Sequence, residues 1–544
     1  MNTDAINKLT NAISFIALSF FLTAVVLAQS NTGTITGVVT DPNGAVVPNA
    51  TVIITNQGTN EKRTIQTDDS GRFEMPSLAT GIYSVDVTAS GFQTTSKKDL
   101  RLAVGEKARA DIVMSVGGVD AVVTVEGETR VETESPTIGD TIAVERIADN
   151  PVNGRDFTQL LATIPGSVQT SHQFNASING IASTFGGSSV LVDGIDAGRV
   201  DLNGTSNVLG RIESRVNRVS MDSIQEIQVL EQNYSAQYGS AIGAVINPIT
   251  KSGTNEFHGS IFEFYRNEAL DANDFFNNAA GFDKSEFNLH QFGGSIGGPI
   301  KKDKVFFFAN YEGVRQTRGI LFTAITPTQA LRNVAVPAVQ PLLAPLPLPT
   351  TPIINPGTGL PDPFRGGFQI QRNGDLREDT GSFKIDFVHS DKSSFSARYN
   401  INDSRTETPF GVAEDQIADG TLRVQLFKFS HNYVFSPTTV NEAAFGINHN
   451  KTHPGAGPSD LPIVAFTFGD QGIASPGPAQ FDQFRTGVVY HFLDTLSFVK
   501  GNNSVKLGAD IRFNRRSALS VTQDTLQFLD LIGTGLDLAN NFAF

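Results

Sequence analysis

Cysteine and tryptophan are both absent from the 544 residues. Without cysteine there can be no disulfide framework and no thiolate metal site. That removes one class of fold without selecting a compartment. The lack of tryptophan withholds one usual member of a membrane-interface girdle, although 40 Phe and 8 Tyr can stand in for it. Positive charge is in deficit, with 41 Lys and Arg against 55 Asp and Glu, a net charge of −14. Neutralising phosphates needs a basic face, so a nucleic-acid partner is not expected.

Clustered chemistry is also scarce. The eight His are scattered, with no H-E-x-x-H, which argues against zinc. Gly293-Gly294-Ser295-Ile296-Gly297 has the spacing of a nucleophile elbow. Its surroundings read as a glycine-rich strand, no helix signal follows, and Pro299 comes next, so the match is read as structural. Asp193 with Asp196, and Asp271 with Asp274, could offer oxygens to calcium, but the spacing fits no EF-hand loop. Capping of turns is the preferred role for all four. No catalytic, cofactor-binding or metal site is predicted, and the chain is not read as an enzyme.

Only one long apolar run exists, Ala12 to Ala28, broken by Ser14, Ser19 and Thr23. Small residues at Val26 and Ala28 suit signal-peptidase cleavage between Ala28 and Gln29, which makes residues 1–28 a signal peptide. No later segment is apolar enough for a transmembrane helix. An exported chain of this kind is soluble in the periplasm, secreted, or a β-barrel.

Residues 32–115 read as a small β-sandwich, with strands predicted at Thr34–Thr40, Ala50–Thr55, Arg72–Met75, Tyr83–Ala89 and Ala108–Met114. Turn chemistry separates them, at Asp41-Pro42-Asn43-Gly44 and Asp69-Ser70-Gly71. Gly37, Val39, Asp41, Gly44, Val47, Ala50 and Val52, then Asp68, Gly71 and Phe73, then Leu78, Gly81, Tyr83, Val85, Val87, Gly91 and Phe92 follow one pattern. It resembles the carboxypeptidase regulatory-like domain, which has a carbohydrate-binding-like fold. The resemblance implies no peptidase, and sugar binding does not follow from fold. A spacer or chaperoning role is preferred for this segment.

Residues 117–251 have mixed α/β character. Phe157, Leu160, Leu161 and Ile164 recur at helical spacing until Pro165-Gly166 ends the pattern. Val190 to Gly194 reads as a buried strand entering a tight turn, and Asp222 as the cap of a turn before the strand Ile227–Glu231. At the end of the segment, Gln237 to Arg266 passes from a glycine-laced apolar run, through Lys251-Ser252-Gly253-Thr254-Asn255, into an amphipathic strand. Gly239 and Gly243 there suit close backbone approach, and Pro248 requires a sheet edge or bulge. This junction, with Asn153-Gly154-Arg155, Leu191 to Gly194 and Asp222 to Val229, resembles the plug of Oar-like TonB-dependent outer-membrane receptors.

From Thr254 onward the period is two. Val505, Leu507, Ala509, Ile511 and Phe513 alternate with Ser504, Lys506, Gly508, Asp510, Arg512 and Asn514. Hairpins are predicted for Phe383–Phe387 with Phe395–Ile401, for Gln425–Phe435 with Thr439–His449, and for Thr486–Phe498 with Val505 onward. Charge confined to one face and short connections alternating with long ones favour a membrane barrel over a soluble sandwich. The proline-rich stretch 326–367 reads as a large surface loop. Residues 254–544 are thus taken as the N-terminal part of a large antiparallel transmembrane β-barrel, in a chain that is mainly β. About 290 residues supply roughly eight to ten strands, whereas a lumen holding a plug needs ~22. The expectation is that further strands follow Phe544.

The resemblance implies an outer-membrane receptor that takes up a solute, such as an oligosaccharide, peptide or chelate, through a plugged barrel. The partners it implies are outer-membrane lipid, a TonB-type energy-coupling protein and an unidentified solute. A contact for TonB should be an extended stretch ahead of the plug. Ala121, Val122, Val123, Thr124 and Val125 have the composition and position, as would an ordinary linker strand. A non-transporting surface or adhesion protein on the same scaffold is the alternative, and a soluble periplasmic sugar-binding protein a third.

Overall fold

The computed structural model describes residues 32–528, apart from 118–121, 127–136, 151, 153–154, 170–175, 179–180, 183–187, 199–218, 240, 280, 338, 355–356, 410, 413–415, 456–462, 469–470, 474–482, 502 and 521–524. The signal-peptide assignment, with Ala28 and Gln29, therefore lies outside the described residues.

The N-terminal segment contains β1 (Gly33–Thr40), β2 (Thr51–Asn56), β3 (Lys62–Gln66), β4 (Arg72–Leu78), β5 (Gly81–Thr88), β6 (Thr94–Leu102), β7 (Lys107–Arg109), β8 (Ile112–Val113) and β9 (Val122–Glu126). One sheet runs β4-β1-β7 with β8 beside β1, and the other runs β3-β2-β5-β6-β9. Alternation buries one face of each, so Ile35, Val52, Ile54, Phe73, Tyr83, Val85 and Leu102 fill the core between them. The expected strand Ala108–Met114 is instead two short pieces, β7 and β8. Strands β3 and β6 were not expected, because charge obscures their alternation: β6 carries Lys97, Lys98, Asp99 and Arg101.

The middle segment holds β10 (Ile138–Ala143), a small sheet of β11 (Ser167–Gln169), β12 (Ala176–Ile178) and β13 (Ile181–Ala182), then β14 (Ser188–Val192), β15 (Ile195–Asp196), β16 (Ile224–Gln232) and β17 (Ala244–Thr250). Its main sheet is ordered β10-β16-β17-β14-β15. Phe157–Thr163 is a 3-10 helix rather than an α-helix, capped by the Asp156 carboxylate, and it buries Phe157, Leu160 and Leu161 as the spacing required. Asp222 caps nothing and instead pairs with Arg155 at 2.9 Å. Pro248 sits in a strand that is central by order, but β14 pairs with β17 only from Ala244 to Ile246. Beyond that point Pro248 has β16 as its ladder partner. On the β14 side only its carbonyl is used, accepting from the Asp193 amide at 3.0 Å, so its missing N–H interrupts no ladder there. Gly239 lies ahead of β17 with open space where a Cβ would stand, so close packing does not explain it. Gly253 does need its missing side chain, since a Cβ there would lie 2.3 Å from the Phe307 carbonyl oxygen.

The C-terminal half is one antiparallel sheet of β18 (His258–Asn267), β19 (Phe287–Lys301), β20 (Val305–Pro327), β21 (Thr351–Ile354), β22 (Pro361–Ser390), β23 (Ser393–Pro409), β24 (Ile417–Ser436), β25 (Thr439–Pro454), β28 (Gln483–Lys500) and β29 (Asn503–Ser520). A side sheet combines β26 (Ile463–Phe468), β27 (Gln471–Ile473) and β30 (Thr525–Phe528). All three expected hairpins are present, with Phe383 opposite Tyr399, Phe429 opposite Phe445 and Tyr490 opposite Phe513. Strands β18 and β29 end the path of this open sheet. The supposed surface loop 326–367 is largely ordered: β20 and β22 extend into it. Two short helices there, Gln329–Val334 and Gln340–Leu343, bury Leu331, Val339 and Leu343.

The two faces of the large sheet are inverted relative to a soluble protein. Many apolar side chains are exposed, including Ile261 at 92%, Phe429 at 43% and Phe513 at 59%, although Phe306, Phe308, Leu422 and Val424 are buried. Polar ones are buried, including Arg398, Asn400, Asn402 and Ser404 along β23. Water on both sides cannot produce this pattern, whereas lipid outside and a polar filling inside can. Short turns join β19 to β20, β22 to β23, β24 to β25 and β28 to β29 at one end, and longer connections lie at the other. In outer-membrane barrels the short-turn end is periplasmic. We expect Phe429→Arg, on the exposed face, to lower stability by about 2–4 kcal/mol. The readout is the unfolding midpoint in detergent or lipid, and an unchanged midpoint would place that face in water.

Candidate functional site

The middle segment is seated on the buried polar face of the large sheet, and Leu426 of β24 joins its core. Specific polar contacts hold it there, concentrated on the two turns at either end of β15.

Between β14 and β15 the chain reverses at Asp193 and Gly194, both left-handed, with φ of 48° and 76°. Asp193 is buried and its carboxylate accepts from the Thr250 amide at 2.8 Å and the Thr250 hydroxyl at 2.7 Å. Three cations of the sheet converge on this turn. Arg398 Nη1 lies 2.8 Å from Asp193 Oδ2, and its Nη2 donates to the Val192 carbonyl at 3.2 Å. Lys428 Nζ donates to the Asp193 carbonyl at 2.8 Å, and Lys384 Nζ to the Thr250 carbonyl at 3.3 Å. These cations are cross-strand neighbours, Lys384 opposite Arg398 and Arg398 opposite Lys428. Like charges placed so repel, and an anion between them relieves the repulsion. Burial opposes ionisation of Asp193, but Arg398, Lys384, Lys428 and the Thr250 amide outweigh it and hold its carboxyl down at about 2.

At the other end of β15, Asp196 makes a second set of contacts. Its amide donates to His491 Nδ1 at 3.0 Å, and its carboxylate pairs with Arg512 at 2.8 Å. Arg512 also pairs with Asp510 at 2.8 Å, and His491 Nε2 lies 2.8 Å from the same Asp510. A backbone donor on Nδ1 leaves the proton of a neutral imidazole on Nε2, facing that carboxylate. Between the two sets, Ile195 packs on Leu493 and Ala444. A Cβ on Gly446 would come within 2.4 Å of Ile195. Farther along, Ser220 Oγ donates to Glu312 at 2.6 Å.

Asp193 and Asp196 thus act mainly as docking groups. Turn chemistry explains only the Gly198 amide bond of the second, since the Thr250 amide on the first comes from 57 residues away. Their cationic partners lie hundreds of residues away, and nothing local in the sequence pairs them. Asp271 pairs with Arg266 at 2.8 Å, and the Asp274 carbonyl accepts from the Asn278 amide. Among the described residues no three His, Cys, Asp or Glu side chains converge as a metal site. Ser295 lies within β19, opposite Ser260 and Asn310, with its hydroxyl 2.9 Å from that of Ser260, so it forms no elbow. Of the proposed TonB-contact residues, Ala121 lies outside the described ones. Val122 to Val125 form most of β9, parallel to β6 at the end of the sandwich sheet.

A plug-like body held by ionic contacts against a lipid-facing sheet is the architecture of a gated outer-membrane receptor. Family models match in succession a "Carboxypeptidase regulatory-like domain" at residues 34–115, a "TonB-dependent Receptor Plug Domain" at 132–245 and an "Outer membrane beta barrel domain" at 249–542. The chain belongs to the TonB-dependent outer-membrane receptors, a family of receptors and transporters, not of enzymes. It is 27% identical over 311 residues to the TonB-dependent transporter Oar of Myxococcus xanthus, covering 54% of this chain and 28% of that protein. It is 37% identical over 98 residues to the probable TonB-dependent siderophore receptor PirA of Acinetobacter baumannii, covering 18% of this chain and 11% of that protein. Among solved structures, the outer membrane transporter YddB from Escherichia coli aligns with a TM-score of 0.49 at 14% identity, covering 72% of this chain and 50% of that one. The chain spans less than a third of the length of these curated relatives.

Two outcomes follow for the contacts of the plug. Arg512→Gln leaves Asp196 and Asp510 without their shared cation and should cost roughly 1.5–3 kcal/mol. The plug would then exchange amide hydrogen faster at Ile195 and Asp196, and unchanged exchange would show the pair to be incidental. The second concerns Glu226 of β16, which is 2% exposed and accepts the Val104 amide of the sandwich at 2.7 Å. Burial lifts its carboxyl to about 7, with the Val104 amide and Arg101 pulling it down and Glu106 pushing it up. A raised folded pKa favours the protonated acid, so its contribution is complete below ~4.3, the unfolded value, and is lost as pH rises through 7. Amide exchange at Val104 should accelerate between roughly pH 6 and 8 beyond its intrinsic rise, and Glu226→Gln should abolish the excess.

Proposed function

We propose that this chain acts in energised uptake of a solute across the outer membrane, with the middle segment as the stopper. The observation that carries the reading is the set of ionic contacts around Asp193 and Asp196. A stopper that must leave and return needs a polar seat, because an apolar one would fuse plug and wall into one core. Export through an N-terminal signal cleaved between Ala28 and Gln29 is part of the proposal.

The energy-coupling partner would be a TonB-type protein engaging residues 121–125 as an added strand. Strand β9 supports this, since it stands between the sandwich and the plug in the chain and, among the described residues, pairs with β6 alone. The solute stays a class: an oligosaccharide, a peptide or a metal chelate. The siderophore receptor among the relatives favours the chelate, though its match covers only 18% of the chain.

Capture of the detergent-solubilised protein by a purified TonB periplasmic domain tests this without knowledge of the solute. Val123→Pro removes a ladder donor in β9 and should cut capture at least tenfold. Undiminished capture would place the contact elsewhere. No capture of the unaltered protein would favour the surface or adhesion role instead.

A further inference from the structure

The sandwich is docked at the short-turn, periplasmic end of the large sheet. Asn60 Nδ2 donates to Asp303 in the β19–β20 turn at 3.0 Å, and the Asn255 amide donates to the Gly58 carbonyl at 2.9 Å. The same Asp303 accepts from Asn255 at 2.8 Å, which ties sandwich, plug–barrel junction and turn together. Ile54, Ser77 and Tyr83 face the Asp391-Lys392 turn and Val440 on the neighbouring strands. On its other side the sandwich grips the plug, through Glu226 and Gln228 on the two backbone groups of Val104 and through Arg101 with Glu145 at 3.0 Å.

Between these contacts is a partly enclosed chamber of about 230 Å³. Asp193, Gly194 and Thr250 of the plug line one side, Asn56, Thr59 and Glu61 of the sandwich another, and the inner face of β22 to β25 forms the wall. Glu442, only 9% exposed, lines it with both carboxylate oxygens lacking a hydrogen-bond partner. Asp386 Oδ2 in the same lining is also without one. Buried polar groups of this kind are satisfied by solvent, so the chamber is wet, and it lies between the plug and the periplasm.

We propose that the sandwich is a second closure of the pathway: a lid on the periplasmic mouth that shuts the chamber beneath the plug. A spacer would leave the mouth open, whereas this domain bridges two barrel turns and floors a chamber of buried charge. Strand β9 is part of the lid's sheet and precedes the plug in the chain. Force applied at β9 would therefore reach the lid first and the plug second.

The absence of cysteine makes the lid testable with introduced thiols. Ser430→Cys puts one thiol in the chamber wall, and Asn60→Cys with Asp303→Cys puts two more across the lid contact. In the purified full chain, labelling at position 430 by a charged maleimide is followed by mass spectrometry, with the other pair oxidised or reduced. Locking the lid should slow labelling at least tenfold, and reduction should restore it. Equal rates in the two states, whether both fast or both slow, would overturn the lid. Should the triple variant fail to fold, Asp303→Ala with Ser430→Cys gives the converse: labelling must quicken, and an unchanged rate would overturn the proposal. Neither arm needs TonB or a solute, so failure here leaves the capture experiment standing.

Discussion

The seating of the plug on the wall depends first on one buried anion. Asp193 enters a face of the barrel wall that presents Lys384, Arg398 and Lys428 on three adjacent strands. The cations repel without it, and it could not stay ionised without them. Breaking such a pair from one side typically costs about 3–5 kcal/mol, while exchanging the whole cluster for apolar groups can be neutral. The ionic form therefore serves specificity and reversibility of seating more than bulk stability.

The contact follows from the inverted wall. A sheet whose outer face meets lipid has only its inner face for polar side chains, and those must find partners there. The plug supplies them from turns, where a short strand such as β15 can place Asp193 and Asp196 at its two ends. Its apolar residues, Phe157, Leu160, Ile227 and Ile246 among them, form one cluster that the wall enters through Leu426. Plug and wall thus meet across a seam that is mainly polar, with Leu426 and the contact of Ile195 on Leu493 and Ala444 as its apolar points. The sandwich has its core between its own sheets and is tied to plug and wall by polar links, with Ile54 and Tyr83 also facing Val440.

The architecture was legible wherever alternation was clean. Val505 to Phe513 predicted a strand with one lipid face, and alternation on both arms placed the hairpins, as in Phe383–Phe387 with Phe395–Ile401. Legibility failed where charge or proline broke the period. Strand β6 was hidden by Lys97, Lys98 and Asp99, and the proline-rich 326–367 region concealed a small packed cluster. The docking groups failed for a different reason. Turn chemistry already accounts for an Asp before Gly194, so nothing local distinguishes a cap from an ion-pair partner 205 residues away. The cross-strand pairing of Lys384 with Arg398 needs the register of the hairpin, which its alternation alone did not specify.

The most direct measurement is a double-mutant cycle on Asp193→Asn and Arg398→Gln, read as unfolding free energy of the full chain in detergent. A seat built on this charge pair predicts a coupling of at least about 1.5 kcal/mol, with the double variant less damaged than the sum of the singles. Losses that add to within ~0.5 kcal/mol would show the two residues to be independent and would contradict the account.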